Sequence, residues 1–134
     1  MRTFYIFRIK DEFKVITENK PYNLFLTLDN IRCMPTTELN IATSIYDMLC
    51  INHNKQKMNL EIFKLLKDSD YYTKYNNNHM INNYYTTERS KLTVNNTYLK
   101  IETTQSYPYF LKILKSYKNL FIADFEEKDY FWLS

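Results

Sequence analysis

Cys33, Cys50, His53 and His79 are the side chains best suited to act as nucleophile, general base or soft metal ligand. Cys50-x-x-His53 is a plausible ligand pair, but Cys33 and His79 fall at no spacing known for structural zinc, which leaves half of a tetrahedral set unfilled. Thiolate catalysis needs a base held against the sulfur, and no local signature around Cys50 supplies one. Carboxylates occur in neighbouring pairs at Asp11-Glu12 and Glu126-Glu127, which could divide acid and base roles. One pair sits where a helix should begin and the other in a turn, where solvated charge already accounts for them. A third candidate chemistry is stacking. In YYTKY (71–75), Tyr71, Tyr72 and Tyr75 surround Lys74, and aromatic rings beside basic groups are how sheets hold single-stranded nucleic acid. The reading is therefore a non-enzyme with no catalytic residue, metal or cofactor.

The missing residue type is as informative. The chain has no glycine at all, so it cannot build a P-loop, a dinucleotide-binding turn, a nucleophile elbow or a GXXG clamp, each of which needs a backbone that only glycine permits. The glycine-containing RNP1 signature of RNA-recognition domains is excluded on the same ground. A net charge of +3 is too small to announce a polyanionic partner. No apolar stretch approaches the roughly 20 residues a membrane span needs, and the first apolar run ends at Arg8, too soon for a signal core. Two cysteines do not make a disulfide framework, so both read as free thiols. A cytoplasmic protein with no membrane association is expected.

The elements that would position any site follow from periodicity. With 45% apolar and 17% aromatic residues in 134, one domain over residues 1–134 can build a substantial core. Residues 2–10 read as a central strand with Phe4, Ile6 and Arg8 on one face and Tyr5, Phe7 and Ile9 on the other. A short helix follows Asp11-Glu12 and ends before Pro21, which suits the start of a second helix carrying Leu24, Phe25, Leu28 and Ile31, with Asn19 a possible cap. Thr36 or Thr37 can cap a third, striped by Leu39, Ala42, Tyr46 and Leu49 with Ile45 alongside. Met58, Ile62, Leu65 and Leu66 predict a fourth. Residues 68–83 fit an exposed loop or an edge strand. Residues 91–103 predict a hairpin, with Asn95-Asn96 at the positive-φ positions of a tight turn. Ser106 and Pro108 open a helix with Phe110, Ile113, Leu114 and Tyr117, and residues 120–133 give two more short strands. The sum is an α/β fold: a single compact domain with a mixed, mostly antiparallel sheet covered by several helices.

On the short helix Phe13 follows Asp-Glu, and either Ile16 or Val15 is expected to face inward. Phe13 and Thr17 share one side, and a partly exposed aromatic there would serve as an interface anchor.

Two stretches resemble a known family. FYIFRIKDEF (4–13) is similar to the opening of the SirA family, sporulation inhibitors of replication, in which an aromatic strand runs into I-K-E/D-E-F. LKSYKNLFIADFEEKDYFWL (114–133) looks like the same family's close, and KMNL (57–60) and YLKIETTQSYPYFLKIL (98–114) match more loosely between them. The resemblance implies a small α/β protein, monomeric until it forms a hetero-complex, that binds the N-terminal domain of the replication initiator DnaA, with no direct nucleic-acid contact. It implies partner contacts from the first helix and from the helix after the central loop. Phe13 matches the family's contact phenylalanine, Thr17 stands where the family has an aromatic, and Asn40 and Thr43 fall near the second contact patch, with Tyr46 a possible replacement there. The alternative kept beside it is a single-strand nucleic-acid binder using Tyr71, Tyr72 and Tyr75.

Overall fold

The computed structural model describes residues 1–133. β1 (Arg2–Ile9) is the spine of a sheet completed by β2 (Cys50–Ile51), β3 (Tyr72–Tyr75), β4 (Asn78–Asn83), β5 (Glu88–Val94), β6 (Leu99–Thr103), β7 (Leu120–Asp124) and β8 (Asp129–Trp132). The strand order is β3-β4-β5-β6-β1-β7-β8, with β2 beside the end of β1. Every described pairing is antiparallel. β1 is central because both its faces are apolar, and the alternation divides them as the sequence predicts. Phe4 and Ile6 enter one core, while Phe7 and Ile9 enter a second on the opposite face.

Five helices cover the sheet: α1 (Asp11–Thr17), α2 (Pro21–Cys33), α3 (Leu39–Leu49), α4 (Lys55–Leu66) and α5 (Tyr109–Leu114). Met58, Ile62 and Leu66 of α4 and Phe110, Leu111 and Leu114 of α5 close the first face. Burial of each such side chain is worth about 1.5–3 kcal/mol. On the second face, Leu24, Phe25 and Leu28 of α2 and Tyr46 and Leu49 of α3 pack on an aromatic floor. Phe25 stacks on Phe125 and Tyr130 at centroid distances of 5.5 and 4.9 Å.

Several local expectations are corrected. Of the two readings of residues 68–83 the edge strand holds and the loop does not: they form the β3–β4 hairpin, turned at Asn76 with φ 54°, with β3 at the sheet edge. Asn95-Asn96 has no positive φ; the Asn95 amide donates to the Tyr98 carbonyl at 3.1 Å, so the residues enclosed by the turn are Asn96 and Thr97, one position later than expected. The left-handed positions are instead Asn76, Thr87, Asn119 and Lys128, at φ between 54° and 60°. Neither Thr36 nor Thr37 caps α3: Thr36–Glu38 forms a 3-10 turn and the helix starts at Leu39. Neither Asn19 nor Ser106 caps the following helix; α2 starts after Lys20, and α5 after Pro108. The N-terminus of α5 is met from another strand, the Glu88 Oε2 accepting from the Tyr109 amide at 3.1 Å.

On α4 Leu65 is exposed and Asn59 is buried in its stead. A polar chain explains Asn59. Its Oδ1 accepts from His79 Nε2 at 2.7 Å, and His79 Nδ1 accepts from the Tyr72 hydroxyl at 2.7 Å. Asn59 Nδ2 then donates to Asn77 Oδ1 at 2.9 Å. Each buried polar group in this chain is satisfied by the next, which ties α4 to the β3–β4 hairpin.

Candidate functional site

The first core is sealed; the second is not. Between α2 and α3 lies an apolar groove of about 370 Å³. Its walls are Leu28, Ile31 and Arg32 of α2 and Leu39, Ala42, Thr43, Tyr46 and Asp47 of α3, and its floor includes Tyr5, Phe7, Tyr98 and Phe125. The floor rings touch one another, with Tyr5 at 5.4 Å from Tyr98 and 5.5 Å from Phe125. Tyr46 fixes α3 over this floor by donating its hydroxyl hydrogen to the Thr97 carbonyl. Burial holds that phenol well above its usual pKa.

Charge at the rim is uneven. The Arg32 guanidinium lies 4.6 Å over the Phe125 ring and donates to Asp29 Oδ1 at 2.7 and 3.2 Å. Asp47, on the opposite wall, forms no ion pair among the described residues. The groove therefore presents aromatic surface with one uncompensated carboxylate at its edge.

α1 leaves the same end of the sheet as Ile9. Its first turn carries Asp11 and Glu12, the charge a helix N-terminus favours, and the Asn119 side chain donates to Asp11. Phe13 is half-buried and packs against the second core, so it is no free-standing anchor. Thr17, one turn on, donates its hydroxyl hydrogen to the Phe13 carbonyl at 2.6 Å. Lys14 lies 5.8 Å from the Trp132 ring. With Phe13, Lys14 and Thr17 turned inward, the 100° advance per residue carries their neighbours outward. Val15 and Ile16 are 77% and 66% exposed, which corrects the expectation that one of them faces the core.

Asn40 and Thr43 are both exposed on α3, and only Thr43 reaches the groove. The structure joins the two helices where the Lys10 amide donates to the Leu49 carbonyl at 2.9 Å. At 1.5 Å per residue Thr43 lies about 9 Å along α3 from that junction and Asn40 about 13 Å. The predicted contact residues thus form two pairs on two helices. Sequence reasoning put Leu39 in the buried stripe of α3, whereas it is 63% exposed at the groove wall, and it missed Ile41 and Met48, which are also exposed. The signal was present in Ile41 and Met48, which lie off the stripe of Ala42, Tyr46 and Leu49.

The other candidates separate. Burial pushes the Cys50 thiol up to about 12 and His53 down to about 4, the reverse of what a thiolate–imidazolium pair requires. Cys33 is exposed and His79 is engaged in the polar chain described above. No group of three or more His, Cys, Asp or Glu among the described residues could hold a metal ion. Tyr71 is half-buried, Tyr72 is buried against the first core and Tyr75 is exposed. Alternation along β3 places Tyr72 and Tyr75 on opposite faces, so these rings do not form one stacking platform. No helix among the described residues is long and apolar enough to cross a membrane.

The family model described as "Sporulation inhibitor of replication protein SirA" matches residues 2–134. No curated protein matches the chain. The chain belongs to the SirA family, whose description names a regulatory inhibitor of replication.

Proposed function

We propose that this SirA-family protein binds the N-terminal domain of the initiator DnaA and restrains initiation of chromosome replication by covering a surface DnaA needs for assembly. The acting unit is the whole chain, residues 1–134, working without a cofactor and making or breaking no bond. One observation carries the reading: large apolar side chains stay uncovered on α1 and α3, the helices from which the resemblance draws partner contacts, and α3 also walls an open aromatic groove. Large apolar side chains left exposed on neighbouring elements fit a protein interface. Phe13 and Thr17 support the α1 side, while Asn40 and Thr43 supply polar contacts on α3. The Phe13 ring holds α1 against the sheet, so it sets the position of Val15 and Ile16 as well as offering its own edge.

The test is binding of purified DnaA N-terminal domain to wild type and to Phe13→Ala. Loss of a hot-spot aromatic should weaken binding by about 2 kcal/mol or more, roughly thirtyfold. A folded Phe13→Ala protein that binds as tightly as wild type overturns the anchor role. Failure of the wild type to bind overturns the choice of DnaA.

A further inference from the structure

A second concave site lies among the loops at the end of the sheet opposite α1. A pocket of about 320 Å³ is walled by Tyr71, Tyr107 and Tyr109, with Glu88 and Lys112 as its charged residues. Glu88 is only 8% exposed. Its Oε2 is committed, accepting from the Ser90 hydroxyl at 2.6 Å and from the Tyr109 amide at 3.1 Å. Its Oε1 takes part in no hydrogen bond among the described residues, and it is not among their sealed, unpartnered atoms either. The free oxygen is therefore not sealed off, and Glu88 lines this pocket.

Neither lysine nearby satisfies it. Lys112 makes no ion pair among the described residues; its ammonium lies 5.7 Å from the centroid of Tyr109. Lys115 lies 5.9 Å from Tyr107. Both distances are at the outer limit of a cation–π contact, which is about 6 Å. The pocket thus holds a carboxylate with one acceptor unused and electron-rich rings that hold the protein's own cations only loosely.

We propose that this pocket is a binding site for an organic ammonium group, in which the tyrosine rings contact the alkyl-substituted cation and Glu88 Oε1 supplies the counter-charge. Tyrosine walls with one carboxylate favour a soft, partly apolar cation over a hydrated metal ion, which would need several oxygen ligands. The same chemistry is carried by a free quaternary amine and by a lysine side chain of another protein. Lys112 is the built-in competitor, because its positive charge raises the local potential without neutralising Glu88.

The test titrates choline and, separately, N-acetyl-lysine methylamide into the full chain while tyrosine ring NMR resonances are followed. Shifts of Tyr71, Tyr107 and Tyr109 with either probe at millimolar concentration support the site, and the tighter probe tells a free amine from a lysine. Glu88→Gln and Tyr107→Leu should each weaken binding about tenfold, and Lys112→Met should strengthen it several-fold. Because Glu88→Gln also alters the acceptor of the Tyr109 amide at the start of α5, the exposed pair Tyr107→Leu and Lys112→Met decides the matter alone. No shift with either probe, or binding unchanged by both surface substitutions, overturns the proposal.

Discussion

The two faces of the sheet start from the same strand and end in different states. On the first, Phe4 and Ile6 of β1 meet α4 and α5, and Leu92, Leu99, Ile101, Leu111 and Leu114 have no exposure at all. On the second, Tyr5 and Phe7 meet α2 and α3 across a groove that no side chain among the described residues fills. The first core is largely aliphatic, whereas the second is largely aromatic. Branched side chains fill the space between layers closely. Flat rings can contact one another edge-on and still leave a slot above them, so the second face coheres without being covered. One face is closed by the protein's own side chains, and the other leaves aromatic surface open.

The sharpest way to break that contrast is to create equal truncations. Leu114→Ala should destabilise the protein by about 2–5 kcal/mol in urea titration, because the first core cannot collapse around the loss. Leu39→Ala, at the groove wall, should stay within about 0.5 kcal/mol. Comparable losses would show that both faces bear the fold equally. Next in size is the partner contact. Ile16→Asp should leave the urea midpoint in place yet weaken binding to the DnaA N-terminal domain by about 2 kcal/mol or more. Unchanged affinity would remove α1 from the contact surface.

Acid should distinguish the polar groups buried in the fold. Burial lowers both His53 and His79 to about 4, from an ordinary 6.5. Each stays neutral in the folded chain while its unfolded counterpart takes up a proton below about 6.5. Stability should therefore fall as pH drops from about 6.5 toward 4, by up to about 1.4 kcal/mol per unit for each imidazole. Urea midpoints at pH 7 and pH 5 test this, and replacing His79 by Gln should flatten the slope. An unchanged midpoint at pH 5 would mean the imidazoles are hydrated. A small effect is also expected inside the groove itself. Ala42→Leu should change stability by less than about 1 kcal/mol, since the added atoms enter open space, whereas overpacking a closed core costs about 1–3 kcal/mol. A larger loss would show the groove to be narrower than its walls suggest.

The alternation in β1 was legible because a strand with apolar residues at both parities can only lie between two layers. The fold class and the places of α2 to α5 followed from period alone. The β3–β4 hairpin did not, because its buried side chains include His79 and its turn is made by asparagines indistinguishable from loop. Asn59 reads as a surface residue until His79 is placed opposite it, and the two are brought together only by tertiary structure. The candidate site was half visible. Phe13 could be singled out, but the rotation of α1 that exposes Ile16 is set by Phe13 packing on the second core and by Asn119 donating to Asp11, tertiary contacts that no spacing rule contains. The groove is a space between helices, and a one-dimensional pattern does not encode how far two helices stand apart.

The left-handed turns at Asn76, Thr87, Asn119 and Lys128 have a consequence in the language of codons. Every glycine codon begins with two guanines, whereas asparagine and lysine codons begin with two adenines. A chain with no glycine must place other residues where geometry would choose it. Threonine at φ 58° is the most costly of these substitutes because of its branched β-carbon. The absence of glycine has in this way written itself into backbone strain, and these four turns are where a glycine would be felt first.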